Sequence, residues 1–99
     1  MAGHRLSPEA EAELEEIWLR VASETGKFEI ADHVIDNITE RFWLLGQRPH
    51  IGRIRDDLRP GLRSFPAGDY VILYRTEGRN VLILHVIHGS RDIPKLLRY

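Results

Sequence analysis

The side chains with the greatest chemical capacity in this chain are its arginines and histidines. Arg63, Arg75 and Arg91 fall in or beside runs that read as strands. A guanidinium holds phosphate or carboxylate through two parallel hydrogen bonds. Three readings stay open on these residues alone. They could stabilise phosphate charge during RNA cleavage, form a protein-docking surface, or pair within the molecule, for example Arg91 with Asp92 or Asp69. The five histidines, His4, His33, His50, His85 and His88, are scattered. His85 and His88 stand three apart on one strand and so project to opposite faces, a spacing that does not chelate a metal. Ser64, Ser90, His88 and Asp92 supply the residue types of a nucleophilic triad but not a spacing that assembles one. Gly52, Gly61 and Gly68 stand singly, outside any phosphate-cradling loop. Trp18 lies on a core stripe. Trp43 follows Phe42 directly, cannot share its direction, and is a candidate partner anchor.

These residues sit in a chain of 99 amino acids, 29% charged and 42% apolar, with no cysteine. That length fits one domain over residues 1–99 with one main core. Without cysteine there is no disulfide framework and no thiolate metal site. The segment after Met1 is polar and acidic, unlike a secretory h-region, and no apolar run approaches the ~20 residues of a membrane span. A cytoplasmic protein is expected. The formal charge of −1 conceals an asymmetry. Up to Gln47 there are 4 basic and 10 acidic residues, a net of −6; from Arg48 on there are 10 basic and 5 acidic, a net of +5. An acidic helical layer against a basic sheet layer accounts for this as well as a charged partner does.

The elements that must position the arginines follow from periodicity. His4 to Ser7 reads as a short edge strand. Ser7-Pro8-Glu9 opens a helix, with a capping hydroxyl, proline at the first position and glutamates at the positive dipole end. Ala10, Leu14, Ile17, Trp18 and Val21 form its apolar stripe, and Thr25-Gly26-Lys27 ends it. A second helix is predicted from about Phe28 to Leu45, with Gly46 as its C-cap. The short turn between them predicts an antiparallel helix hairpin. Residues 46–61 read as a loop. Leu62–Phe65, Tyr70–Thr76 and Val81–His88 read as three strands, the last placed centrally as the most apolar. The expected fold is α+β: an N-terminal strand, the helix hairpin, then a three-stranded antiparallel meander (β-α-α-β-β-β). The helices cover one face of an antiparallel sheet, and the other face is expected to be open and arginine-rich.

Three segments in this order carry a family resemblance: LSPEAEAELEEIW, GRIRDDLRPGLRSFPAGDYVILYR and VLILHVIHGSRDIP. Together they resemble the ParE branch of the RelE/ParE toxin superfamily, from Leu6 to about Leu97. The resemblance implies a toxin of a type II toxin–antitoxin module, of the kind tied to plasmid stabilization. It implies inhibition of DNA gyrase by binding rather than by catalysis. It also implies neutralisation by a ParD-like antitoxin in a heteromeric complex, 2:2 or larger. A disordered antitoxin tail that orders on the toxin suits a small sheet with exposed helix grooves. No cofactor, no metal, no membrane and no sequence-specific nucleic acid are expected. Phe28, Ile30, Trp43, Arg63, Tyr70 and Arg75 are the predicted antitoxin contacts; His88 and Arg91 are the predicted target contacts.

The alternative is a ribosome-dependent mRNA endonuclease similar to the RelE branch, using Arg63, Arg75, His88 and Arg91. A further alternative is a weakly toxic family member that only binds antitoxin. The RelE-like pattern is incomplete here. Val71, not arginine, follows Tyr70. Arg91 is retained after Gly89-Ser90. Leu97 stands where that branch has its C-terminal tyrosine, and only Arg63 supplies charge near the positions of its lysines, Leu62 and Ser64. Cleavage needs a base and a charge stabiliser around the scissile phosphate, and one retained arginine is not both. Tyr99 is the remaining tyrosine that could substitute.

Overall fold

The computed structural model describes residues 3–97; Tyr99 therefore lies outside the described residues. The chain runs β1 (His4–Leu6), α1 (Pro8–Thr25), α2 (Phe28–Gln47), β2 (Arg53–Ile54), β3 (Arg63–Ala67), β4 (Tyr70–Glu77), β5 (Asn80–His88) and α3 (Ile93–Leu96). The expected α+β order is present. The strands form one sheet in the order β1-β5-β4-β3-β2. β3, β4 and β5 are the antiparallel meander, and β1 is an edge strand.

The start of α1 follows its sequence signals. Ser7 Oγ accepts the Ala10 N–H at 3.0 Å, and Pro8 opens the helix. Gly26 ends it in the left-handed region, φ 70°, with its N–H on Ala22 O at 2.8 Å; a side chain there would be strained. The turn sends α2 back along α1. Both helices bury one stripe on the sheet. Ala10, Ile17, Ile38, Phe42 and Leu45 meet Tyr70, Ile72, Tyr74, Val81, Ile83 and Val86.

Four features differ from the sequence reading. Gly46 is not the C-cap: α2 continues to Gln47, and Arg48 caps it. Gly46 is buried because the lead-in to β1 crosses it, and an added Cβ would stand 3.0 Å from the Gly3 carbonyl carbon. β1 pairs parallel to β5, so the sheet is mixed. The 46–61 loop contains a two-residue strand, β2, that extends the sheet at its far edge. The second sheet face is not an open arginine surface. Leu62, Leu73 and Ile87 form a second apolar cluster there, covered by Leu58, Ile93, Leu96 and Leu97. The physical reason is continuity of burial. Ile72, Leu73 and Tyr74 are consecutive and all 0% exposed, so neighbours on opposite faces are both covered.

The long loop is pinned from below by Tyr74. Its hydroxyl accepts the Gly52 N–H at 2.9 Å and donates to Pro49 O at 2.8 Å. Burial pushes the phenol pKa up, so the hydroxyl remains a donor at neutral pH. Gly52 has no room for a side chain, since an added Cβ would lie 2.3 Å from that oxygen. Arg63 closes the loop from the other side, donating to His50 O at 3.1 Å and Gly52 O at 2.9 Å. Replacing Tyr74 with Phe leaves the Gly52 N–H without its acceptor. The expected loss is about 1–3 kcal/mol of unfolding free energy in urea titrations, with faster hydrogen exchange at Gly52. An unchanged urea midpoint would remove Tyr74 as the anchor of the loop.

Candidate functional site

Two surfaces bring the candidate residues together. The first is α2. Phe28, Ile30 and Trp43 are 66%, 40% and 66% exposed, and Leu19 and Ile54 are similarly open at 60% and 57%; on the helical wheel Phe28 and Trp43 share a side and Ile30 projects away from it. Phe28 and Trp43 lie 15 residues apart, about 22 Å along the helix axis, so they mark its two ends. At one end Phe28 stacks at 5.3 Å on Trp18, whose indole N–H donates to Asp32 Oδ1 at 2.7 Å. Trp18 is thus half-buried in the groove between the helices rather than part of the core cluster. At the other end Trp43 meets the His4 ring edge-on at 5.3 Å, with Phe42 behind it at 5.7 Å.

The second surface is a cleft of about 190 Å³ between α1, the end of β5 and the C-terminal segment. Glu13, Glu16 and Arg20 come from α1, His85 and His88 from β5, and Arg91 and Leu97 from the segment that follows. Tyr70 lies at its floor: its hydroxyl accepts from Arg20, whose guanidinium also lies over the ring at 5.8 Å. His88 meets the same ring edge-on at 5.4 Å. His85 and His88 are rooted on opposite sheet faces, opposite Leu73 and Tyr70 respectively. Both still line the cleft, because it opens on the edge of the strand.

The catalytic fragments noted in the sequence are engaged otherwise. His88 Nδ1 accepts the Ser90 N–H at 3.1 Å and faces Ser90 Oγ at 2.7 Å. Asp92 does not complete a triad; its carboxylate accepts the Lys95 N–H and caps α3. Ser64 is buried in β3. Arg63 holds the loop. Arg75 is exposed on β4, with Glu77 at 3.7 Å. Glu77 is also clasped by Arg5 at 2.9 Å, which holds its carboxyl below the usual range. Arg91 is exposed and anchored through its main chain, N–H to His88 O at 3.0 Å. Leu97, at the tyrosine position of the RelE-like pattern, lines the same cleft as Arg91 and brings neither acid nor base.

Glu13 and Arg20 were not singled out from sequence, although a signal existed. Ala10, Glu13, Ile17 and Arg20 follow helical spacing on one stripe, so two charges alternate with two core residues.

Against this geometry the chain compares as follows. The architecture is that of a helix hairpin on a small mixed sheet, the class of the RelE/ParE-type toxins. Residues 5–93 match the family described as ParE toxin of type II toxin-antitoxin system, parDE. Toxin ParE1 of Mycobacterium tuberculosis (strain CDC 1551 / Oshkosh) is 32% identical over 93 residues, covering 93% of this chain and 94% of that protein. Toxin ParE3 of Caulobacter vibrioides is 35% identical over 78 residues, covering 79% and 78%. Among solved structures, the chromosomal ParDE TA system from P. aeruginosa superposes with a TM-score of 0.77 at 23% identity, over 89% of this chain and 96% of that one. The toxin–antitoxin complex RelBE2 from Mycobacterium tuberculosis gives 0.53 at 25% identity, over 88% and 96%. The chain belongs to the ParE toxin family.

Burial holds the His4 imidazole pKa below its usual 6.5. The unfolded chain therefore binds more protons than the folded protein between that lowered value and 6.5. Stability from this site is full above 6.5 and falls as pH drops through the folded value. Urea unfolding at pH 5 and pH 8 is expected to show a smaller pH dependence in His4→Gln than in the unmodified chain. Equal slopes would contradict the burial of His4 against Phe42 and Trp43.

Proposed function

We propose that this toxin acts by binding DNA gyrase, without an active site of its own, and that a ParD-like antitoxin neutralises it. The carrying observation is the pair of aromatic side chains, Phe28 and Trp43, left two-thirds exposed on α2. Large aromatic side chains left exposed along one side of a helix suit anchoring of a protein partner. The antitoxin lies along the hairpin, with Phe28, Ile30 and Trp43 as its main anchors. Arg75 contributes from the sheet and Arg63 by holding the loop, whereas Tyr70, buried in the core at the floor of the cleft, is not available as a direct contact. The parDE module in the family description supports an antitoxin of the ParD type.

Arg91 and His88 form the target contact, at the mouth of the cleft. Arg91 is exposed and makes no ion pair among the described residues, so its guanidinium is available to a carboxylate. The endonuclease reading has the same arginine in its favour. Against it stands Leu97, an apolar side chain in the cleft at the position where the RelE-like pattern has its C-terminal tyrosine.

The purified toxin, added to a gyrase supercoiling assay and separately to a translation extract, distinguishes the two readings. Loss of supercoiling with intact mRNA is expected. Intact supercoiling with cut mRNA would overturn the gyrase reading. In cells, Arg91→Ala is expected to lower toxicity while antitoxin affinity stays within about twofold, a change worth about 0.4 kcal/mol. Trp43→Ala is expected to do the reverse, weakening antitoxin binding by about 2 kcal/mol, roughly thirtyfold. Unchanged antitoxin affinity in Trp43→Ala would take that residue out of the interface.

A further inference from the structure

Between its two exposed aromatic ends, α2 is acidic. Phe28, Asp32, Asp36 and Glu40 follow one another at four-residue steps, and Trp43 comes three residues later. Steps of three or four residues keep side chains on one side of a helix. All five are exposed. α1 continues the pattern: Glu11 and Glu15 share the side of that helix that carries Trp18, and both are exposed.

These carboxylates have no cation of their own. No ion pair among the described residues includes Glu11, Glu15, Asp32, Asp36 or Glu40. Asp32 accepts only the neutral Trp18 indole N–H. The hairpin arginines are engaged elsewhere, Arg20 on Tyr70 and Arg41 on Asn37. Like charges four residues apart destabilise a helix. The Asp32/Asp36, Asp36/Glu40 and Glu11/Glu15 repulsions therefore weaken the hairpin, and core packing does not require them, since these side chains lie outside the core. Building on the reading that the antitoxin lies along the hairpin, we propose that the segment docked there is basic and amphipathic. Its apolar side chains meet Phe28 and Trp43, and lysines or arginines spaced between them meet Asp32, Asp36 and Glu40. Charge complementarity selects this occupant. The same carboxylates repel nucleic acid and an anionic lipid surface. A second copy is disfavoured too, because a two-fold contact on this face sets the acidic row against itself.

The test is calorimetric titration of the antitoxin encoded with this toxin into toxin variants, at about 50 mM and about 500 mM NaCl. Asp36→Lys/Glu40→Lys is expected to weaken binding by about tenfold or more at low salt, roughly 1.4 kcal/mol, and by about twofold or less at high salt. Asp36→Asn/Glu40→Gln removes the like-charge pairs and adds no cation. It is expected to weaken binding by about threefold at low salt. Glu16→Lys adds charge on the cleft side of α1 and is expected to stay within about twofold. Trp43→Ala, measured alongside, separates the two levels of the account. Weak binding by Trp43→Ala with unchanged or tighter binding by Asp36→Lys/Glu40→Lys overturns the basic segment and leaves the hairpin as the docking site. Unchanged binding by both removes the hairpin site, and the basic segment with it. An equal loss in Glu16→Lys, or a loss that salt does not diminish, also overturns the proposal.

Discussion

Everything in this molecule depends on β4 and β5 being buried on both faces. Ile72, Leu73 and Tyr74 have no solvent exposure, and their side chains alternate across the sheet. One cover is therefore insufficient. The helix hairpin supplies the first, burying its stripe on Ile72, Tyr74 and Ile83. The C-terminal segment supplies the second, laying Ile93, Leu96 and Leu97 over Leu73 and Ile87. That second cover also brings Arg91 and Leu97 beside α1 and so creates the cleft. Tyr74 adds a further consequence. Its ring belongs to the core while its hydroxyl fixes Pro49 and Gly52, so the basic loop is held by the sheet beneath it.

Much of this was legible in the sequence because the signals were local. Ser7-Pro8, the two apolar stripes and Gly26 define the hairpin, and alternation defines the meander. What escaped reading depended on distant pairing. Three residues, His4 to Leu6, cannot say whether they will run parallel or antiparallel to a strand some 75 positions away. Arg53-Ile54 is too short to show a period. The second face looked open because Leu58, Leu62, Ile93, Leu96 and Leu97 are dispersed around Gly, Pro and Arg and form a cluster only after the chain has closed. Gly46 resembled a cap because glycine at a helix end commonly is one; here close approach of Gly3 is the reason for it.

The site was legible to a similar degree. Exposure of Trp43 followed from its adjacency to Phe42, and the structure leaves both Trp43 and Phe28 two-thirds exposed. The arginines divide by role. Arg63 holds backbone carbonyls, Arg75 faces a carboxylate, and Arg91 is left at the mouth of the cleft. Sequence alone could not separate these, since nothing local to Arg63 or Arg75 within their strands, or to Arg91 just past one, shows which carbonyl or carboxylate each will meet. The charge asymmetry resolves similarly: the acidic half is the outer surface of the hairpin, and part of the basic half is engaged in holding the loop.

The central claim is that the toxin works as a binding partner and not as a catalyst. Titration of purified toxin into gyrase, held well above the dissociation constant, tests it directly through residual supercoiling activity. Binding predicts a linear fall to an equivalence point at a fixed molar ratio, reversed when antitoxin is added. Complete inactivation by a small fraction of an equivalent would show turnover and contradict the account.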